Sequence, residues 1–157
     1  MKKNEKTNVM RILQGKKIPF ESHSYEEDPT LRGEDIAAIL GEDPKHVFKT
    51  LVTQGSSKAY YVFVLPVMEE LDLKKAAKLS GEKSVSMIKQ KELLPLTGYV
   101  HGGCSPIGMK KQFPTFIHKS AKDLDKIFVS AGKVGIQVEL SPHDLIELTG
   151  CRVEDIV

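Results

Sequence analysis

The sequence predicts a single α+β domain, and three observations support this prediction. The chain has 157 residues, a length that fits one hydrophobic core and leaves little for a second domain. Apolar residues make up 40% and charged residues 28% of the chain, which is ordinary globular composition. Strand patterns outnumber helical patterns and are irregularly spaced, which favours a mixed α+β fold over a doubly wound fold.

Local signals define the elements of the first half of the chain. Thr7 can cap a first helix that ends at Gly15, because a threonine hydroxyl accepts a backbone N–H and glycine ends helices. A strand pattern, a polar loop, a short helix and two further strands follow. Their predicted ranges are 18–25, 26–33, 34–40, 47–52 and 59–65, and the last two form a hairpin across 54–58.

The second half of the chain shows the same mixture of short elements. Asp72 and Ser141 can each cap a helix, and Pro142 suits the first helical position. The predicted elements are helices over 72–79 and 87–94, a strand over 115–118, hairpin strands over 126–130 and 135–140 joined across 131–134, and a last helix over 141–150.

Lys49 is the residue that fits its strand least well. Both faces of the segment 47–52 are largely apolar, so we expect the strand to be covered on both sides. A buried ammonium costs several kcal/mol unless an anion, a carbonyl or water contacts it. We therefore expect Lys49 to line a cleft for a polar ligand. The alternative is an aliphatic stem along the sheet with the amine in solvent.

Two glycine-containing segments are candidates for the same cleft. The loop Gly102 to Gly108 begins with paired glycines, whose N–H groups can approach an oxyanion without a side chain in the way. The alternative is a tight turn in which these glycines only provide positive φ. The turn Ser130 to Gly135 lacks the ending of a phosphate-binding loop and joins two strands, so we do not expect a nucleotide P-loop.

Other catalytic and metal sites have weaker support in the sequence. Cys104 and His101 allow a cysteine-nucleophile hypothesis, but no third residue is evident to orient the histidine. The 5 histidines have no paired metal-binding spacing, so we expect neither a metal nor another cofactor. Any catalysis would depend on positioning, on oxyanion stabilisation or on a group that the substrate brings.

Charge and hydropathy limit the classes of partner and the cellular compartment that we expect for this protein. The net charge of +2 lies below the range of dedicated duplex-binding proteins, which leaves room only for a small contact with nucleic-acid phosphates. No apolar run is long enough to cross a membrane, and the basic start 1–6 lacks the apolar core of a signal peptide. We therefore expect a cytoplasmic protein in which Cys104 and Cys151 are free thiols.

Five blocks of the sequence occur in an order that is typical of one family. They are His23 to Glu26 with Asp28-Pro29, Val47 to Leu51, Leu71 to Lys75, Gly102 to Gly108, and Ser130 to Lys133. These blocks resemble the YbaK family of aminoacyl-tRNA deacylases, which is related to the editing domain of bacterial prolyl-tRNA synthetases. The resemblance implies a mixed, barrel-like β-sheet surrounded by helices, in one domain over residues 1–157.

The resemblance also implies a function. Members of this family remove a wrongly attached amino acid, typically cysteine, from the terminal adenosine of proline tRNA, and they use no metal. The expected partners are the mischarged tRNA and prolyl-tRNA synthetase. In cysteine-specific members the substrate's own thiol is held to attack the ester carbonyl, which agrees with the lack of an evident protein nucleophile in this sequence.

The family pattern assigns roles to seven residues of this sequence. The implied residues are Lys49 as catalytic anchor, Gly102 and Gly103 as catalytic backbone donors, and Tyr25, Thr50, Ser130 and Gln137 as substrate-binding residues. Three positions depart from the pattern. Leu31-Arg32 stands in place of a pocket aromatic residue, Gln137 in place of a common acidic residue, and Cys104 in place of an aliphatic or hydroxyl-bearing residue.

Two other functions remain open on the sequence alone. A non-catalytic module that holds a tRNA end or a nucleotide for a synthetase would bind deacylated tRNA with salt-dependent affinity and show no turnover. A cysteine hydrolase built on Cys104 would lose its activity on the substitution Cys104→Ser.

Overall fold

The computed structural model describes residues 6–28 and 30–157. Over these residues the chain forms five α-helices and two β-sheets. Residues 1–5 of the basic start and Pro29 of the expected 26–33 loop lie outside the described residues. Within the described ranges, no helix combines the length and the hydropathy that a membrane span requires.

The elements are short and follow each other closely. The helices are α1 (Asn8–Gly15), α2 (Gly33–Leu40), α3 (Leu73–Ser80), α4 (Gln90–Thr97) and α5 (Pro142–Thr149). The strands are β1 (Glu21–Ser24), β2 (Phe48–Gly55), β3 (Tyr60–Pro66), β4 (Val85–Met87), β5 (Thr115–His118), β6 (Ile127–Lys133), β7 (Ile136–Leu140) and β8 (Arg152–Glu154).

The strands form two sheets that meet near the start of β2. The larger sheet has the order β4-β2-β3-β5-β8, with antiparallel pairs around β2 and parallel pairs around β5. The smaller sheet, β1-β7-β6, is antiparallel. A parallel bridge between Val47 and Phe128 links the two sheets. The α+β fold is therefore confirmed. Its barrel-like character corresponds to two joined sheets, which do not form a closed barrel within the described residues.

Side-chain caps define the helix starts where the sequence predicts them. The Thr7 hydroxyl accepts a hydrogen bond from the Met10 N–H at 3.2 Å. Asp72 and Ser141 accept backbone N–H groups in the first turns of α3 and α5 in the same way. Each cap satisfies a donor that the first helical turn leaves unpaired, so these boundaries follow from local chemistry.

Both faces of the β2–β3 hairpin are buried, as expected from its apolar composition. Val62 and Val64 face the main core between the two sheets, whereas Phe63 and Leu65 pack on the other face, against α3. The same alternation applies along β2, because directly paired residues of antiparallel strands share a face. Lys49 pairs with Leu65 and therefore belongs to the α3 face of the sheet.

Several predicted boundaries differ from those of the structure, and some short strands were not predicted. The helix expected over 87–94 begins later and continues to Thr97, because the segment before it forms the edge strand β4 on β2. Residues 131–133, expected in the hairpin connection, extend β6 beyond an irregular register near Ser130. The strand β8 was not predicted, because it has only three residues and its partner β5 is distant in sequence.

We predict that the junction of the two sheets contributes strongly to stability. Phe128 is fully buried there and packs against Val47 and Ala37. Phe128→Ala should lower the free energy of unfolding by about 3–5 kcal/mol, because it leaves a cavity that the two sheets cannot fill. Urea denaturation measures this loss. Leu94→Ala, at a half-exposed position of α4, is the control and should cost far less. Equal losses would contradict this role of Phe128.

Candidate functional site

A cavity of about 400 Å³ lies between the start of β2, the start of α2, the loop after α4 and the β6–β7 hairpin. This volume is within the range of small-ligand pockets in proteins. Of the site residues expected from the sequence, Lys49, Thr50, Gly102, Ser130 and Gln137 line the cavity, whereas Tyr25 and Gly103 do not. The three segments expected to converge on one cleft therefore do converge.

Lys49 is half-buried in the wall of this cavity. Its Nζ donates a hydrogen bond to the Val67 carbonyl oxygen at 3.3 Å. An ammonium has three N–H donors, so this contact leaves donors for a ligand. The position agrees with the cleft hypothesis. The sequence did not reveal Val67 as a partner, because a backbone carbonyl has no sequence signature.

Two opposing effects act on the pKa of Lys49. Burial lowers the pKa of its ammonium, since a charged group loses hydration there. Three carboxylates around it act in the opposite direction, and they are those of Glu70, Glu34 and Glu69. Burial is the larger effect, so the pKa of Lys49 is below the ordinary lysine value.

Ser130 and Gln137 form the buried polar part of the wall. They are directly paired on β6 and β7, so their side chains lie on the same face of the smaller sheet. Gln137 Nε2 donates to the Tyr25 hydroxyl at 3.3 Å, which brings Tyr25 next to the cavity without making it a wall residue. Burial is the main reason why the pKa of the Tyr25 phenol is raised.

The two glycines of the 102–108 loop differ in role. Gly102 lines the cavity, and its N–H makes no hydrogen bond to the described residues. The Gly103 N–H instead donates to the Val100 carbonyl at 2.9 Å. A Cβ on Gly103 would also lie 3.0 Å from the Val134 backbone nitrogen. The expectation of two free oxyanion donors therefore needs correction, because the turn itself uses the Gly103 amide.

Cys104 and His101 both line the cavity but have different surroundings. His101 is exposed. Burial raises the pKa of the Cys104 thiol to about 12. At neutral pH Cys104 is therefore a thiol, which is a far weaker nucleophile than the thiolate.

A cluster of titratable groups lies on the smaller sheet, outside the wall of the cavity. Within the described ranges, Glu21, His23 and Glu139 place possible metal-ligand atoms within 4.8 Å of one another. Glu139 Oε1 is 2.7 Å from His23 Nε2, and Glu139 Oε2 is 2.5 Å from Lys126 Nζ. Burial raises the pKa of Glu139, but its bonds to Lys126 and His23 outweigh burial and lower it overall. The Lys126 ammonium already neutralises this carboxylate.

Comparisons with known proteins identify the family. The family model described as "Aminoacyl-tRNA editing domain" matches residues 27–148. An Enterococcus faecalis protein named "Putative Cys-tRNA(Pro)/Cys-tRNA(Cys) deacylase EbsC" is 45% identical over 156 residues, which cover 99% of this chain and 95% of that protein.

Solved structures show the same fold at lower identity. A "putative trans-editing enzyme for prolyl tRNA synthetase" is 23% identical with a TM-score of 0.82, over 97% of this chain and 98% of that one. The hypothetical protein APE2540 is 23% identical with a TM-score of 0.86, over 94% of this chain and 97% of that one. By its sequence match over residues 27–148, the chain belongs to the aminoacyl-tRNA editing domain family.

Proposed function

We propose that this chain is a trans-editing deacylase that removes a wrongly attached amino acid, chiefly cysteine, from proline tRNA. The relative named as a Cys-tRNA(Pro)/Cys-tRNA(Cys) deacylase supports this substrate. The observation that carries the proposal is the half-buried Lys49 ammonium in a cavity whose described wall contains no carboxylate. Such a cavity favours a ligand whose reacting group becomes negatively charged.

The proposed reaction uses the thiol of the substrate. Its sulfur attacks the ester carbonyl of the same aminoacyl group, so that a C–S bond forms and the C–O bond to the ribose breaks. The thiol proton ends on the ribose oxygen, and the amino acid leaves as a cyclic thioester. This route needs no protein nucleophile, no metal and no other cofactor.

The residues of the cavity have different roles in this reaction. Lys49 anchors the ester end and stabilises the oxyanion that develops on its carbonyl oxygen, and the Gly102 N–H is a second donor. Thr50, Ser130 and Gln137 contact the aminoacyl-adenosine, and the Tyr25 hydroxyl holds the Gln137 amide. In this proposal these residues position a substrate that supplies its own nucleophile.

We extend this proposal to the domain organisation, the compartment and the partner of the chain. Residues 1–157 form one editing domain, which acts on the tRNA end in the cytoplasm, where mischarged tRNA is made. The small net charge of +2 fits a limited contact with the tRNA end. Prolyl-tRNA synthetase is the proposed source of the mischarged tRNA and a candidate partner.

We predict that Lys49→Ala removes most of the activity. Losing one oxyanion-stabilising group typically lowers the rate about a hundredfold to a thousandfold. The measurement is kcat/KM for cysteinyl-tRNA(Pro), with urea denaturation to show that the variant is folded. Lys74→Ala, at an exposed lysine of α3, is the control and should behave like the parent. A folded Lys49→Ala variant with parental activity would refute this mechanism.

The thiol-dependent route predicts a difference between two substrates of nearly the same size. Cysteinyl-tRNA(Pro) should be cleaved, and seryl-tRNA(Pro) should resist, because a hydroxyl is a much weaker nucleophile than a thiol. Single-turnover rates with excess enzyme measure this difference directly. Equal rates for the two esters would indicate an activated water molecule in place of the substrate thiol.

The cysteine-hydrolase alternative makes the opposite prediction for Cys104. Burial raises the pKa of this thiol to about 12, so it stays protonated at neutral pH and is a weak nucleophile. Cys104→Ser should therefore deacylate cysteinyl-tRNA(Pro) at a rate close to that of the parent. The matched control is Cys151→Ser, at a buried cysteine that does not line the cavity. Inactivation by Cys104→Ser alone would support the hydrolase alternative.

A further inference from the structure

One face of α4 is exposed next to the cavity. Its residues 90, 91, 94 and 95 and the C-cap Gly98 are all exposed, and this spacing places them on one side of the helix. Leu93, at a buried position of the same helix, lines the cavity. After α4 the chain passes through the exposed Val100 to His101 and Gly102, which also line the cavity. The exposed face of α4 therefore leads along the chain to the cavity.

Apolar and basic side chains occur together on this face. Leu94 and Val100 are 51% and 48% exposed. The stem of Lys110 passes over Gly98, since a Cβ on this glycine would lie 3.3 Å from Lys110 Cγ. The Lys110 side chain therefore lies against the end of α4. We call this region the α4 surface, and it comprises Lys91, Leu94, Pro95, Gly98, Val100 and Lys110.

The α4 surface combines positive charge with a lack of carboxylates. No Asp or Glu occurs from Leu93 to Lys122. The one acidic residue of α4 is Glu92, whose carboxylate accepts the Lys89 N–H at 3.0 Å at the start of the helix. Ammonium groups bind phosphates, and exposed apolar side chains provide a surface for unpaired bases. The α4 surface therefore suits a single-stranded nucleic acid.

The opposite rim of the cavity has the opposite charge. The segment 26–35, which leads into α2 and contributes residues 30–33 to the wall, contains five acidic residues and one arginine. This arginine, Arg32, already pairs with Glu34, with 3.3 Å between Nη1 and Oε1. Carboxylates repel phosphates. A nucleotide chain that leaves the cavity therefore has a more favourable path over the α4 surface.

We propose that the α4 surface binds the two unpaired cytidines that precede the terminal adenosine of the tRNA. Their bases lie on Leu94 and Val100, and their phosphates contact the ammonium groups of Lys91 and Lys110. This inference rests on the proposed function and adds to it a second binding site, outside the cavity, for the single-stranded 3′ end.

Stable analogues of two lengths test this site. The short probe is adenosine that carries a cysteinyl group through an amide in place of the ester. The long probe carries the same group on the trinucleotide cytidine-cytidine-adenosine. Isothermal titration of the full chain should give a Kd about tenfold lower for the long probe, because its added bases and phosphates contact the α4 surface. Equal Kd values for the two probes would overturn the inference.

Removal of the apolar side chains should reduce this gain in affinity. The double variant Leu94→Ala/Val100→Ala should lower the ratio of the two Kd values from about tenfold to about threefold, because the bases lose most of their contact area. Leu73→Ala, at an exposed leucine of α3, is the matched control and should keep the parental ratio. A parental ratio in the folded double variant would refute the inference.

Salt dependence tests the two lysines separately. Each phosphate contact of a single strand adds about −0.7 to the slope of log affinity against log salt concentration, so the long probe should have a slope about 1.4 more negative than the short probe. Lys91→Gln/Lys110→Gln should remove this difference. The matched control, Lys74→Gln/Lys78→Gln at exposed lysines of α3, should keep it. A difference that persists without Lys91 and Lys110 would contradict the phosphate contacts.

A protein partner is the competing explanation for the α4 surface. If the α4 variants keep the parental ratio for the two probes but bind prolyl-tRNA synthetase less tightly, the surface binds a protein and the inference is wrong. The probes are not cleaved, so these results are independent of turnover. A parent that binds the long probe more tightly but fails to deacylate cysteinyl-tRNA(Pro) would count against the proposed function alone.

Discussion

The central constraint of this structure is a lysine ammonium held inside a mostly apolar sheet. Lys49 lies on the face of β2 that packs toward α3, where the neighbouring side chains are apolar. One carbonyl oxygen contacts its amine, and its pKa is lowered by burial despite three carboxylates nearby. Partial dehydration of this charge therefore has a cost in the stability of the fold. That cost is explained if the charge stabilises a ligand that the cavity receives.

The two sheets contribute different chemistry to the cavity. The larger sheet supplies the cation, and the smaller sheet supplies neutral polar groups on the paired residues Ser130 and Gln137. The bridge between Val47 and Phe128 joins the sheets two residues before Lys49 and two residues before Ser130. The same junction thus supports the fold and sets the spacing between the charged and the neutral sides of the site.

Local sequence predicted much of the fold, and one local misfit, Lys49, indicated a residue that lines the cavity. Helix caps and the β2–β3 hairpin depend on neighbouring residues, and Lys49 was identified because it does not suit a buried strand. Pairings across the chain were not predictable, because β1 joins β7 from more than a hundred residues away. The hydrogen bond between Gln137 and Tyr25 likewise depends on tertiary contacts.

The most direct test of this account is a crystal structure of the chain with amide-linked cysteinyl-adenosine. We predict that the aminoacyl group lies inside the cavity, with its carbonyl oxygen within hydrogen-bond distance of Lys49 Nζ and the adenosine on the side of Arg32 and His101. A complex in which the analogue binds elsewhere, or in which Lys49 contacts only Val67, would contradict the central claim.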